Sequence, residues 1–179
     1  SVEATRAGLV VRLNTLLSGH SGASVAVAEH LAACLNAGLT PVTGRIGSVG
    51  PADLVVNATL GLALIGQGRM VGPSGIDDAA EVMSEAGLSP LALGPRDGLA
   101  LASHCGMTVG SAALAHHACE TAFHATQTAA ALSLEGFRAN LSPLDPRAGG
   151  TNRLIQQGAA LVQCGIAAPR RAAAVFAEA

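Results

Sequence analysis

The chain has 179 residues, half of them hydrophobic and only 12% charged, with a formal net charge of −2. That is enough apolar material for one domain with a real core, and a core shared with neighbouring chains is expected. All ten basic residues are arginine, scattered but for Arg170 and Arg171, and there are three Phe, no Tyr and no Trp, which rules out lysine Schiff-base and P-loop lysine chemistry and argues against nucleic-acid binding.

In chain order, residues 4–17 place Leu9, Leu13, Leu16 and Leu17 at helical spacing. The turn Ser18-Gly19-His20-Ser21-Gly22 ends that helix, and Ser24 can cap a second one that runs to Asn36 and stops at Gly38. Leu39 to Val42 is extended around Pro41, and Arg45 to Gly50 is a Gly-rich loop. Asp53 opens a helix reaching about Ile65, ended by Gly66 and Gly68. A short amphipathic helix is expected over Ile76–Ala86. After the turn at Gly94-Pro95 comes the longest helical stretch, Leu99 to Leu134, which can break at Gly106 or Gly110. Leu141 to Gly150 is a loop, Thr151 to Cys164 a helix, and Pro169 starts a last short helix. The fold class expected is all-α, a bundle of long helices in a single domain over residues 1–179. Extended pieces can pair but cannot make a large sheet.

The longest charge-free run, Leu54 to Gln67, is too short to span a bilayer, so no membrane segment is expected. No secretion signal is evident, and the four cysteines lie far apart without a CxxC pair. Reduced thiols and a cytoplasmic location are expected. Three motifs invite chemistry. Gly19-His20-Ser21-Gly22-Ala23 resembles a hydrolase elbow, but Ala23 replaces its last glycine and its flanks are helical. His116, Glu120 and His124 share one helix face but are not HExxH, so no metal site is expected. His104 and Cys105 are adjacent, yet neighbours in a helix do not face each other.

Several segments read together point to one family. They are Val11-Arg12-Leu13-Asn14 with Gly19-His20-Ser21-Gly22, Asn36 to Val42, Gly47-Ser48-Val49-Gly50 with Asp53-Leu54, and Leu62 to Gly68. Leu93 to Leu101, Ala131 to Glu135 and Asp145-Pro146-Arg147 continue the series in order. The chain resembles the central part of the histidine and aromatic amino acid ammonia-lyases. The resemblance implies elimination of ammonia from an amino acid, a homotetrameric assembly with active sites shared between chains, and a longer parent chain. It also implies an electrophilic methylidene-imidazolone, built from an internal Ala-Ser-Gly tripeptide.

Two of the family's motifs are altered. After Gly50 the chain reads Pro51-Ala52-Asp53, one residue short, with no serine to dehydrate and no glycine to close the ring. The methylidene-imidazolone cofactor is therefore not expected. Ser103-His104-Cys105 stands where the family has Asn-Gly-Thr. The candidate ligand-binding residues are Ser48, Gly50, Asp53, Asn57 and Ser103, with His104 the candidate catalytic base in a chain without tyrosine. The ligand expected is a small amino acid or related carboxylate, held by backbone amides at a helix N-terminus. Against it stands a plain turn in which Asp53 only caps a helix. Two functions remain open: a divergent carbon–nitrogen lyase without the usual electrophile, or a non-catalytic homologue serving as a structural or binding subunit.

Overall fold

The computed structural model describes residues 1–145. The expected helices after Thr151 and Pro169, and the match at Pro146-Arg147, lie outside them. α1 spans Val2–Leu17, and its first turn is closed by Ser1, whose hydroxyl accepts from the Ala4 amide at 3.3 Å. Its buried stripe is Thr5, Gly8, Leu9, Arg12 and Leu16, a run of three- and four-residue steps. Leu17, expected on that face, is 71% exposed, because it lies about 100° around the helix from Leu16. α2 spans Val25–Asn36. Gly38 ends it in the left-handed region, φ 75°, letting the Leu39 amide reach the Cys34 carbonyl at 2.9 Å.

The extended piece at Thr40–Pro41 becomes β1, which pairs antiparallel with β2 (Arg69–Gly72). β2 pairs in turn with β3 (Gly75–Asp78) as a hairpin around Pro73-Ser74, giving a three-stranded sheet in the order β1-β2-β3. This corrects two expectations. The chain is mostly helical but not all-α, and Ile76 to Asp78 are strand rather than helix. The Pro73-Ser74 turn returns the chain directly onto β2, so the helix waits until Ala79. α4 then spans Ala79–Glu85. α3 spans Leu54–Leu64. Leu9, Val27, Leu31, Leu39, Leu60, Leu64, Met70, Val82, Met83 and Leu101 form one continuous core drawn from α1 to α4, β2 and the segment around Leu101.

The long helical stretch breaks into α5 (Asp97–Ala102) and α6 (Gly106–Gly136). The break falls at Ser103 to Cys105, just ahead of the glycine expected to permit it. α1 and α6 cross at Gly8 and Gly110: a Cβ added to Gly110 would lie 2.5 Å from the Gly8 nitrogen, so the two backbones nearly touch. By length and composition alone, Asp97–Gly136 is apolar and long enough to cross a membrane. It nevertheless carries His116, His117, Glu120 and His124 along one stretch, polar groups that hydrocarbon disfavours.

The chain divides into two compact units, Ser1–His116 and the residues from His117 onward. The first holds the sheet, α1 to α5 and the start of α6. The described part of the second is the remainder of α6 and a 3-10 turn at Ser142–Leu144, opened by the Ser142 amide donating to Asn140 Oδ1 at 3.0 Å.

Candidate functional site

The loop before α3 is held by its own backbone. The Val49 amide donates to the Ala52 carbonyl at 3.0 Å, and the Val55 amide to the Gly47 carbonyl at 3.1 Å. Gly47 has no room for a side chain: an added Cβ would meet Val55 Cβ at 2.8 Å. The Ser48 hydroxyl donates to the Ala52 carbonyl at 3.5 Å and accepts from the Gly50 amide at 3.3 Å. Gly50 takes φ 92°, open only to glycine without strain.

This loop is tied to the α5–α6 turn from several directions. The Asp53 amide donates to the His104 carbonyl at 3.0 Å. Asn57, fully buried, donates through Nδ2 to the carbonyls of Ala102 at 3.1 Å and His104 at 2.8 Å. The Cys105 thiol donates to the Pro51 carbonyl at 3.2 Å. The Asp53 carboxylate does not cap its own helix α3. It accepts from the Thr108 amide at 2.8 Å and the Thr108 hydroxyl at 2.6 Å, so it stands at the N-terminus of α6. An anion already sits where the helix dipole attracts one, and it belongs to the protein. Burial alone would raise the Asp53 pKa. Hydrogen bonds from Thr108 and Ser48 and the nearby His104 outweigh that and hold it below the ordinary carboxylate value.

His104 lies between opposite charges. Burial pushes its ring down to a pKa of about 4, and the Arg12 guanidinium pushes the same way; the Leu101 carbonyl and Asp53 oppose them without prevailing. The ring is neutral at neutral pH. Nδ1 accepts from the Gly106 amide at 2.9 Å, which places the proton on Nε2, an atom buried without a hydrogen-bond partner. In this arrangement the ring's lone pair is engaged, and proton uptake requires the Gly106 amide to let go of it.

Ser48 and Asp53 line a cleft of about 610 Å³ together with Thr5, Thr43, Arg45 and Thr108. Asn57 and the His104 carbonyl stand behind its wall, joined to each other rather than opening into it. Ser103 lines a different cavity, with Arg12 and Arg96. The six candidate residues thus gather around one turn but do not share one pocket. Sequence reading missed Thr108, whose partner is 55 positions away, and Arg12, which a helical stripe of apolar residues gave no reason to bury. Among the described residues no group of three His, Cys, Asp or Glu side chains is placed to hold a metal ion.

Comparison with known proteins places the chain in a family. The family model described as aromatic amino acid lyase matches residues 1–160. The chain is 36% identical over 146 residues to the histidine ammonia-lyase of Geobacillus kaustophilus, covering 81% of this chain and 29% of that protein. Among solved structures it is similar to histidine ammonia-lyase from Trypanosoma cruzi, with a TM-score of 0.79 and 28% identity over 89% of this chain and 32% of the other. It is also similar to ergothionase from Treponema denticola, at a TM-score of 0.80 and 28% identity over 89% of this chain and 33% of the other. The chain spans less than a third of the length of the curated relatives it matches. With the family model matching most of its length, the chain belongs to the aromatic amino acid lyase family.

Proposed function

We propose that this chain is the central segment of a carbon–nitrogen lyase that releases ammonia from a small amino acid without a methylidene-imidazolone. The carrying observation is the loop from Gly47 to Asp53, which is tied to the α5–α6 turn by several hydrogen bonds while lacking the tripeptide. Ala52 carries a methyl where a hydroxyl must leave, and the Asp53 amide is spent on the His104 carbonyl instead of being available for ring closure. The residues present do not fit the prosthetic group.

In this proposal Ser48 and Asp53 face the ligand in the cleft, Gly50 shapes their loop, Asn57 holds the α5–α6 turn behind the cleft wall, Ser103 faces the neighbouring cavity, and His104, whose ring has to turn toward the ligand, accepts the proton. The bond from carbon to the amine breaks with its electron pair leaving on nitrogen, the neighbouring carbon loses a proton to His104, and a carbon–carbon double bond forms. His104 is in its base form at neutral pH, as the role requires, once Nδ1 is released by Gly106. The working assembly is a homo-oligomer, a tetramer by family resemblance, in the cytoplasm. The low charge content and the exposed apolar residues Val10, Leu17 and Leu99 of the first unit support association.

The test is ammonia release from histidine, phenylalanine and tyrosine by the full-length protein. Release, abolished by His104→Ala, is the expected result. No release from a folded oligomer overturns the lyase proposal and leaves a non-catalytic subunit.

A further inference from the structure

A second cavity, of about 400 Å³, shares no lining residue with the cleft above. Its walls carry Arg12, Arg96, His20, Ser21 and Ser103. We propose that it binds a small oxyanion, a carboxylate or phosphate group, between the Arg12 and Arg96 guanidiniums. This proposal does not depend on the lyase reading, because binding is measured without turnover.

The first support is a buried cation with no counter-ion among the described residues. Arg12 is only 5% exposed, yet the hydrogen-bond partners it has among them are neutral. Nη1 donates to the hydroxyls of Thr15 at 3.2 Å and Ser21 at 3.5 Å, Nη2 donates to the Ala100 carbonyl, and Nε is buried with no partner. A buried cation facing only neutral groups is costly unless an anion joins it. The nearest candidate in sequence to Arg96, Asp97, is fully committed. Its carboxylate accepts from the Ser24 amide at 2.7 Å, the Ser24 hydroxyl at 2.8 Å and the Gly94 amide at 2.8 Å.

The second support is the way Arg96 is held. It has φ 71° and ψ −12°, a left-handed conformation unusual for any residue but glycine, asparagine or aspartate. The Arg96 guanidinium lies over the Gly19–Gly22 turn, with Nη1 3.7 Å from where a Cβ on Gly22 would stand. Arg96 thus adds a second cation to the cavity that Arg12 already lines, beside His20 and Ser21 of that turn. Among the described residues neither arginine is paired with a carboxylate. Two planar guanidiniums with the hydroxyls of Ser21 and Ser103 match the acceptor oxygens of a carboxylate or phosphate.

Calorimetric titration of the full-length protein with inorganic phosphate, and separately with propanoate, at constant ionic strength tests the site. Arg96→Gln is exposed enough to leave the fold intact, and Arg45→Gln, in the other cleft, serves as its control. The expected result is one saturable site for at least one probe, weakened about tenfold or more in Arg96→Gln and unchanged in Arg45→Gln. Binding of phosphate alone assigns a phosphoryl ligand, and of propanoate alone a carboxylate one. No saturable binding, or equal affinity in wild type and Arg96→Gln, overturns the proposal. So does binding lost in Arg45→Gln, which moves the anion to the other cleft. If Arg96→Gln yields a smaller species in sedimentation, the counter-ion is a carboxylate of a neighbouring copy, and the small-ligand site is overturned.

Discussion

Asp53 shows how a single side chain serves two elements. It opens α3 through its backbone while its carboxylate closes the first turn of α6 on Thr108, so one residue fixes the start of both helices. Asp53→Asn keeps an acceptor but removes the charge, and is expected to cost about 1–2 kcal/mol, read as a lower urea midpoint. His104 makes stability fall toward acid pH. Its ring titrates near pH 4 when folded and near 6.5 when unfolded. Between those values the unfolded chain binds more protons, so stability is complete above about pH 6.5 and falls as pH drops through 4. His30, also lowered by burial, acts in the same direction. The difference in urea midpoint between pH 7 and pH 5 should therefore shrink in His104→Asn without vanishing. An unchanged difference would mean that His104 titrates normally.

At the scale of elements, two junctions hold the first unit. The α1–α6 crossing works because neither Gly8 nor Gly110 has a side chain there. Gly110→Ala gains helix propensity of about 1 kcal/mol but drives a methyl into the α1 backbone. Overpacking of about 1–3 kcal/mol is expected to prevail, and thermal melting should show a net loss. The other junction is Asn57 against the α5–α6 turn. Two carbonyls that a broken helix leaves without intrahelical partners are satisfied by one buried amide. That is the physical reason the long helix breaks before Gly106. The turn's carbonyls are held by α3 and its amides by Asp53 and His104, whereas glycine alone only permits a break.

For the whole molecule, the exposed apolar residues of α1, α3 and α5 argue for burial against other copies. Val10, Val55, Leu62 and Leu99 are exposed by 45–70%. Sedimentation at micromolar concentration should give an oligomer, and a monodisperse monomer would count against it. Insertion of one residue to restore Ala-Ser-Gly after Gly50 should give measurable ammonia release above the parent protein if the electrophile is what the lineage dispensed with. Ser103 and His104 would still differ from the family's Asn-Gly, so the gain is expected to be small.

Local patterns were enough to locate most helices. Apolar spacing found α1, α2 and α3, and glycines at positions such as 38 and 66 marked their ends, because propensity and capping act within a few residues. The family motifs, read in order, also identified the frame and the altered loop. Tertiary contacts decided the rest. The hairpin at Arg69–Asp78 depends on strands pairing with β1 about 30 residues earlier, which period alone does not reveal. The roles of Asp53 and Asn57 depend on partners 45–55 positions away, so the sequence could name them as site residues without deciding whether they face a ligand or a neighbouring turn. Arg12 differs: an apolar stripe gave no reason to bury an arginine, and only the fold sets it against Ser21 and Ala100, with no carboxylate among the described residues to meet it.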